Sequence, residues 1–315
     1  MIIDLITGFL GSGKSTFIRE YASFLIDHGC RICILENDHG PVNVDMTLLS
    51  GLRSDMCELE MITGGSDKET HMRRFRTKLI QMAMMGYQRV IVEPSGIYDI
   101  DEFFDTLWEE PLDRMYEIGN VITVVDALLP DTLSRESDYL LASQCACAGK
   151  IYFSRTDLAT PEDIDSCISH INRALMAVSC KRVIGRNDIE TRSATLLFSE
   201  EDYPLNWGYE LRSFVKYQIA DHNEYGSLFY MNIKLDEKVY KNFLMNLLHN
   251  EDLGHIIRVK GFVELTDSSY MSINLSRESS SFAPCDPMPT ILIVIGEGLH
   301  KDKIDKLFEG KYHNG

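Results

Sequence analysis

The 315-residue sequence is 44% apolar, enough to bury more than one core, which excludes a chain disordered over most of its length. Its 48 acidic and 31 basic side chains give a formal charge of −17, which argues against nucleic-acid backbones and anionic membrane surfaces as partners. Asp4 with no basic leader does not read as a secretory signal, and no apolar run reaches the roughly 18 residues of a membrane span, so a cytoplasmic protein is expected.

The run "IIDLIT" has the pattern of a buried strand and "STFIREYASFLIDHG" that of an amphipathic helix stopped at Gly29. Between them "GFLGSGKS" fits G-x-x-x-x-G-K-[ST], with Gly8, Gly13, Lys14 and Ser15 at the defining places. Glycines let backbone amides wrap a phosphate, and the helix N-terminus faces its charge. Gly8, Gly11, Ser12, Gly13, Lys14, Ser15 and Thr16 are therefore the expected phosphate cradle. Lys14 would bridge β- and γ-phosphates, and Ser15 would complete a Mg²⁺ shell. A tight turn of small residues is the competing reading, but a turn gains nothing from Lys and Ser at these two places.

The next strand, "RICILE", contains Cys33. With Cys30 it makes one C-x-x-C, whose burial in an apolar run favours a structural role. In "YQRVIVEPSG" a buried strand ends at Glu93, followed by Gly96. An acid at that tip would hold Mg²⁺ through water, and the Gly96 amide could approach the γ-phosphate. Further strands are expected at 119–127 and 149–154, with helices at 68–86, 100–109, 135–148 and 161–177. This alternation predicts an α/β P-loop NTPase fold with a mostly parallel sheet. Cys145 and Cys147 would point to different faces of their helix, and Cys57, Cys167, Cys180 and Cys285 stand singly.

"FSRTDL" closes a strand where guanine-binding proteins of this class carry N-K-x-D. Asp157 can accept from guanine N1–H and the exocyclic amine, a donor pair that adenine lacks. The Arg155 stem can lie against the purine face, and Ser154 replaces a longer asparagine. Asp157 could instead cap the helix beginning at "PEDIDSCISHI", although Thr160 is better placed to do so.

The boundaries expected are a P-loop domain at 1–198, a linker at 199–223 and a smaller C-terminal α+β domain at 224–315. The last should hold strands "SLFYMNIKL", "GFVELTD" and "TILIVIG", the helix "EKVYKNFLMNLLHN" and a final helix on the same face.

Taken together these stretches resemble the CobW family of P-loop GTPases. "TGFLGSGKST" resembles its first motif, "ILENDHGPVNVD" its first switch, "VIVEPSG" its acidic strand, "VITVVDA" the strand after it, and "QCACAGKIYFSRTDL" its Q-x-x-x-A-D-x-x-x-x-N-K-x-D segment. "IIRVKGFVEL" is similar to the R-x-K-G strand of the family's second domain, and "ILIVIGEGLHKDKIDKLF" to its closing strand and helix. The resemblance implies a GTP- and Mg²⁺-dependent hydrolase that carries a transition metal such as zinc, cobalt or nickel, or assists assembly of a metal cofactor. It implies a protein target, a metalloenzyme or a cofactor-assembly protein, and leaves self-association open.

The family's G-C-x-C-C metal motif is absent. In "ITGGSDKETH" Gly64 remains, but Gly65, Asp67 and Lys68 stand where cysteines would be. Two readings follow. Glu36, Asp38, His39, Asp67 and His71 could form a harder oxygen- and imidazole-based site. Alternatively, the acids serve Mg²⁺ and the histidines are solvated loop residues. Lys14 and Glu93 are the expected catalytic pair, with Glu36 and Asp38 as candidates for orienting water, and turnover should be slow without a partner. Loss of the thiolates raises a second functional reading, a nucleotide-dependent regulator acting on a partner enzyme without carrying metal. A small-molecule kinase is a third.

Overall fold

The computed structural model describes residues 1–9, 11–37, 49–62, 68–94, 100–193, 195, 198–215, 225–277 and 280–309. The chain divides into two compact units, Met1–Tyr217 and Gln218–Gly315.

The first unit is a seven-stranded sheet. In chain order its elements are β1 (Ile2–Thr7), α1 (Lys14–Asp27), β2 (Ile32–Asn37), β3 (Cys57–Ile62), α2 (Lys68–Ala83), β4 (Arg89–Pro94), α3 (Ile100–Trp108), α4 (Leu112–Met115), β5 (Glu117–Asp126), α5 (Arg135–Cys147), β6 (Lys150–Ser154), α6 (Pro161–Ala177) and β7 (Ile189–Glu190). The strand order is β3-β2-β4-β1-β5-β6-β7, and every pairing is parallel. This is the doubly wound sheet that the alternation predicts. β1 lies at its centre, so the loop after β1 opens where the crossovers diverge, the usual ligand crevice of such sheets.

β1, β2 and β4 are buried nearly from end to end, as strands covered on both faces must be. The face of α1 carrying Phe17, Ile18, Tyr21 and Leu25 packs on Ile6, Ile34, Ile91 and Ile122. At the start of the strands a buried polar network interrupts the apolar packing. Asp4 Oδ2 accepts from Arg89 Nη1 at 2.6 Å and from the Tyr21 hydroxyl at 2.8 Å, and Asp4 Oδ1 accepts from the Asn120 amide at 2.7 Å. Burial first, then the Asp4 charge, pushes the Tyr21 phenol well above its ordinary range, so it stays a donor.

The segment from 199, expected as part of a linker, packs on the first unit as far as it is described. Leu205 joins the core, the Trp207 and Gly208 amides donate to Asn120 Oδ1 at 2.8 and 2.9 Å, and the Val215 amide donates to the Val178 carbonyl at 2.7 Å. Its aromatic side chains explain this docking: Tyr203 stacks on His28 at 4.2 Å between centroids, and Trp207 joins Phe198 and Phe17.

The second unit contains β8 (Tyr225–Met231), β9 (Lys234–Leu235), α7 (Tyr240–His249), β10 (His255–Leu265), β11 (Tyr270–Ser276), β12 (Ser280–Pro284), β13 (Ile291–Glu297) and α8 (Lys301–Phe308). Its sheet runs β12-β11-β10-β13-β8 with antiparallel neighbours, and short β9 pairs parallel with β10. Leu244, Leu247 and Leu248 of α7 and Ile304 and Phe308 of α8 share one core with Val259, Val263, Leu292 and Val294, so the helices cover one face. Strands β11 and β12 lie outside the sequence expectation, because "YMSINLS" and "SSFAP" carry too many serines for a hydrophobic pattern to stand out. Among the described residues no helix is long and apolar enough to cross a membrane.

Candidate nucleotide site

The loop from Gly8 to Gly13 leaves β1 at the sheet centre and enters α1. Gly8 has φ +149°, and a Cβ there would lie 2.2 Å from the Val124 carbonyl of β5, so only glycine lets the chain turn so close to its neighbour. Gly13 precedes α1 in a left-handed conformation (φ +97°) and offers no side-chain cap, and the first turn of α1 carries no acid. Amides left uncapped by side chains, next to a helix N-terminus, favour an anion. Lys14, which is buried, directs its ammonium back into the loop and donates to the Gly8 carbonyl at 3.0 Å and the Phe9 carbonyl at 3.5 Å. The hydroxyls of Thr7 and Ser12 are buried and have no hydrogen-bond partner among the described residues. Orphaned donors beside a lysine fit phosphate oxygens better than they fit a plain turn. Ser15 and Thr16 follow in the first turn of α1.

Glu36 and Glu93 end adjacent strands as direct register partners and are 2% and 3% exposed. Their carboxyl groups leave neighbouring strands about 4.8 Å apart at the backbone, and oxygen ligands of this kind suit Mg²⁺. The hydroxyl of Ser15 and the carboxyl of Glu93 are both oxygen donors, the chemistry that a hard cation takes.

The turn expected from the sequence to read the base stands at the end of β6. Ser154 Oγ donates to the Val125 carbonyl at 3.4 Å, and the Ser154 Cβ lies 3.4 Å from where a Cβ on Gly13 would be. Arg155 is left-handed (φ +57°), and the Leu158 amide donates to its carbonyl at 3.0 Å, closing the turn on which Asp157 is exposed. Helix α6 is capped without Asp157: Thr160 Oγ1 accepts from the Asp163 amide at 3.2 Å, and Asp163 Oδ2 accepts from the Thr160 amide at 2.8 Å. The Arg155 guanidinium pairs with the Asp126 carboxylate and donates from Nη2 to the Gly11 carbonyl at 3.3 Å. The loop after β1 and the turn after β6 are therefore in direct contact.

Gly96, Asp38, His39 and Asp67 lie outside the described residues. Of the transition-metal candidates, Glu36 lies at the tip of β2 and His71 is buried in α2, unlike the solvated residue of the simpler reading. Among the described residues no group of three or more His, Cys, Asp or Glu side chains is arranged to hold a metal ion. All eight cysteines are free thiols, seven of them buried, and burial raises the Cys33 thiol and pushes Cys57 up to about 11, which disfavours thiolates.

Three residues absent from the sequence-derived list belong to this edge of the sheet. They are Thr7, Asp126, and Asn37, whose buried amide has no partner among the described residues. Each is a polar residue at the carboxyl tip of its strand, where ligands of such sheets are met.

Residues 2–179 match the CobW/HypB/UreG nucleotide-binding domain, and residues 231–311 match the cobalamin synthesis protein CobW C-terminal domain. The zinc chaperone YjiA of Escherichia coli (strain K12) is 27% identical over 179 residues, 54% of this chain and 54% of that protein. The zinc-regulated GTPase metalloprotein activator 1 of Dictyostelium discoideum is 23% identical over 301 residues, 82% of this chain and 62% of that one. The matched regions span between 48% and 62% of the length of these curated relatives. A crystal structure of Zn(II)-bound YjiA GTPase from E. coli aligns over 99% of both chains at 19% identity, with a TM-score of 0.38.

Proposed function

The chain belongs to the CobW/HypB/UreG family, and from that premise we propose that it is a GTP-binding protein that hydrolyses GTP slowly and serves metal handling, as a metallochaperone or an assembly factor for a metal cofactor. The observation that carries the reading is one junction: Lys14 folded into the loop on Gly8, and Arg155 of the base-reading turn reaching Gly11 of that same loop.

In this reading the amides of Gly8 to Ser15 hold the β-phosphate and Lys14 offsets charge developing on the β–γ bridge. Gly96 would approach the γ-phosphate, and Ser154, Arg155 and Asp157 would surround the guanine. Mg²⁺, held through Ser15 and Glu93, would neutralise phosphate charge. Glu36 and Asp38 are the candidates for orienting water. The protein target would be a metalloenzyme or a cofactor-assembly protein.

A second reading has its own support. The sequence carries no cysteines in "ITGGSDKETH", which favours a nucleotide-dependent regulator of a partner enzyme. Calorimetric titration of metal-stripped protein with Zn²⁺, Co²⁺ and Ni²⁺, with and without Mg²⁺ and a non-hydrolysable GTP analogue, separates the two. Nucleotide-coupled binding at about micromolar affinity or tighter, lost in His39→Ala or Asp67→Ala, supports metal carriage. Heat from Mg²⁺ with nucleotide alone overturns metal carriage and leaves the regulator.

A further inference from the structure

A nucleotide that touches both the phosphate loop and the turn after β6 is held well only if the two are braced at a fixed separation. Here the Ser154 hydroxyl is directed to the Val125 carbonyl of β5, at 3.4 Å. The brace is made one residue later, where the Arg155 guanidinium donates to Gly11 of the phosphate loop at 3.3 Å and pairs with Asp126 at the tip of β5. Asp126 is itself fixed, because its Oδ1 accepts from the Leu128 amide at 3.0 Å.

We propose that Asp126 is a positioning residue for nucleotide binding: its carboxylate fixes the Arg155 guanidinium, and that guanidinium straps the base-reading turn to the phosphate loop. The inference rests on the guanine-nucleotide reading above and deepens it. Arginine suits the role because two separate nitrogens of its rigid fork serve two acceptors at once, which a single lysine ammonium does poorly. The pair has side-chain exposures of 23% and 13%, so solvent screens it less than a surface ion pair. Arg155 also holds a left-handed backbone conformation that is uncommon outside glycine and persists where surrounding contacts fix it. Since the turn closed by Arg155 and Leu158 carries Asp157, loosening Arg155 moves the base reader and the loop together.

The test is competition of GDP and ADP against a fluorescent GDP analogue, with Mg²⁺, on the full chain as wild type, Asp126→Asn, Asp126→Glu, Arg155→Lys and the Asn/Lys double variant. Each of Asp126→Asn and Arg155→Lys should weaken GDP about tenfold and narrow the GDP-to-ADP affinity ratio, and the double variant should be no more than about twofold worse than either. Asp126→Glu, which keeps the carboxylate, should restore part of the ratio. Wild-type affinity in Asp126→Asn, single losses that multiply in the double variant, or equal weakening of GDP and ADP each overturn the strap. If Asp126→Asn does not fold, Arg155→Lys decides alone: a retained GDP-to-ADP ratio overturns the proposal. A wild type without guanine preference overturns the functional reading and the strap together, whereas a guanine-selective wild type with an inert Asp126→Asn overturns the strap only.

Discussion

Glu36 at the tip of β2 and Glu93 at the tip of β4 stand directly opposite each other in the parallel register, both buried. Carboxyl oxygens side by side on adjacent strands are the hard ligands that Mg²⁺ takes. Replacing Glu93 by Gln removes one carboxyl group from the pair. The Mg²⁺ concentration that Glu93→Gln needs to support GTP binding should rise about tenfold. Fluorescent-nucleotide titrations across Mg²⁺ concentrations measure this, and an unchanged requirement would remove Glu93 from the cation site.

Asp157 is exposed on a turn whose neighbouring helix is capped by Thr160 and Asp163, so its carboxylate is not used as the cap. Asp157→Asn changes an acceptor pair into one donor and one acceptor. That pattern matches xanthine, which has a carbonyl where guanine has the exocyclic amine. GDP affinity should fall by about a hundredfold and xanthosine diphosphate should become the better ligand. Competition assays with both nucleotides check it, and an undiminished preference for GDP would place base recognition elsewhere.

Much of the nucleotide edge was legible in the sequence because its devices are local. Gly8 and Gly13 set the loop, Lys14 and Ser15 follow at fixed spacing, and "FSRTDL" ends an obvious strand. What escaped depends on contacts between distant segments. Asp126 gains meaning only when β5 lies beside β6 and brings it to Arg155. The segment after 199 reads as an acidic linker, yet Leu205, Trp207 and Asn120 are brought together across more than eighty residues of chain. Strands β11 and β12 escaped for another reason: their pairing with β10 supplies order that their serine-rich sequences do not announce.

Arg89 is the ion partner of Asp4, whose side chain is fully buried in the first unit. Arg89→Ala leaves that carboxylate without its cation, and breaking a buried pair costs about 3–5 kcal/mol. The thermal midpoint should fall clearly, while Arg89→Ala combined with Asp4→Asn should recover part of the loss. A single variant as stable as wild type would show that Tyr21 and the Asn120 amide suffice to hold the charge.

Arg192 bridges Glu190 and Asp202, and its hydrogen bond to Asp202 holds that carboxyl at about 2. The ordinary unfolded value is about 3.9, so the folded value is depressed. The stability it contributes is therefore complete above about pH 4 and is lost as pH falls through about 2. Thermal midpoints measured from pH 5 down to pH 2 should fall more steeply in wild type than in Arg192→Ala. Parallel curves would mean that solvent screening leaves this pair without effect.

The most direct test of the account is calorimetric titration of the metal-stripped chain with GTP and with ATP in the presence of Mg²⁺. GTP should bind saturably and at least about tenfold more tightly than ATP, and Lys14→Ala should abolish both. Equal affinity for the two nucleotides, or tighter binding of ATP, would contradict it.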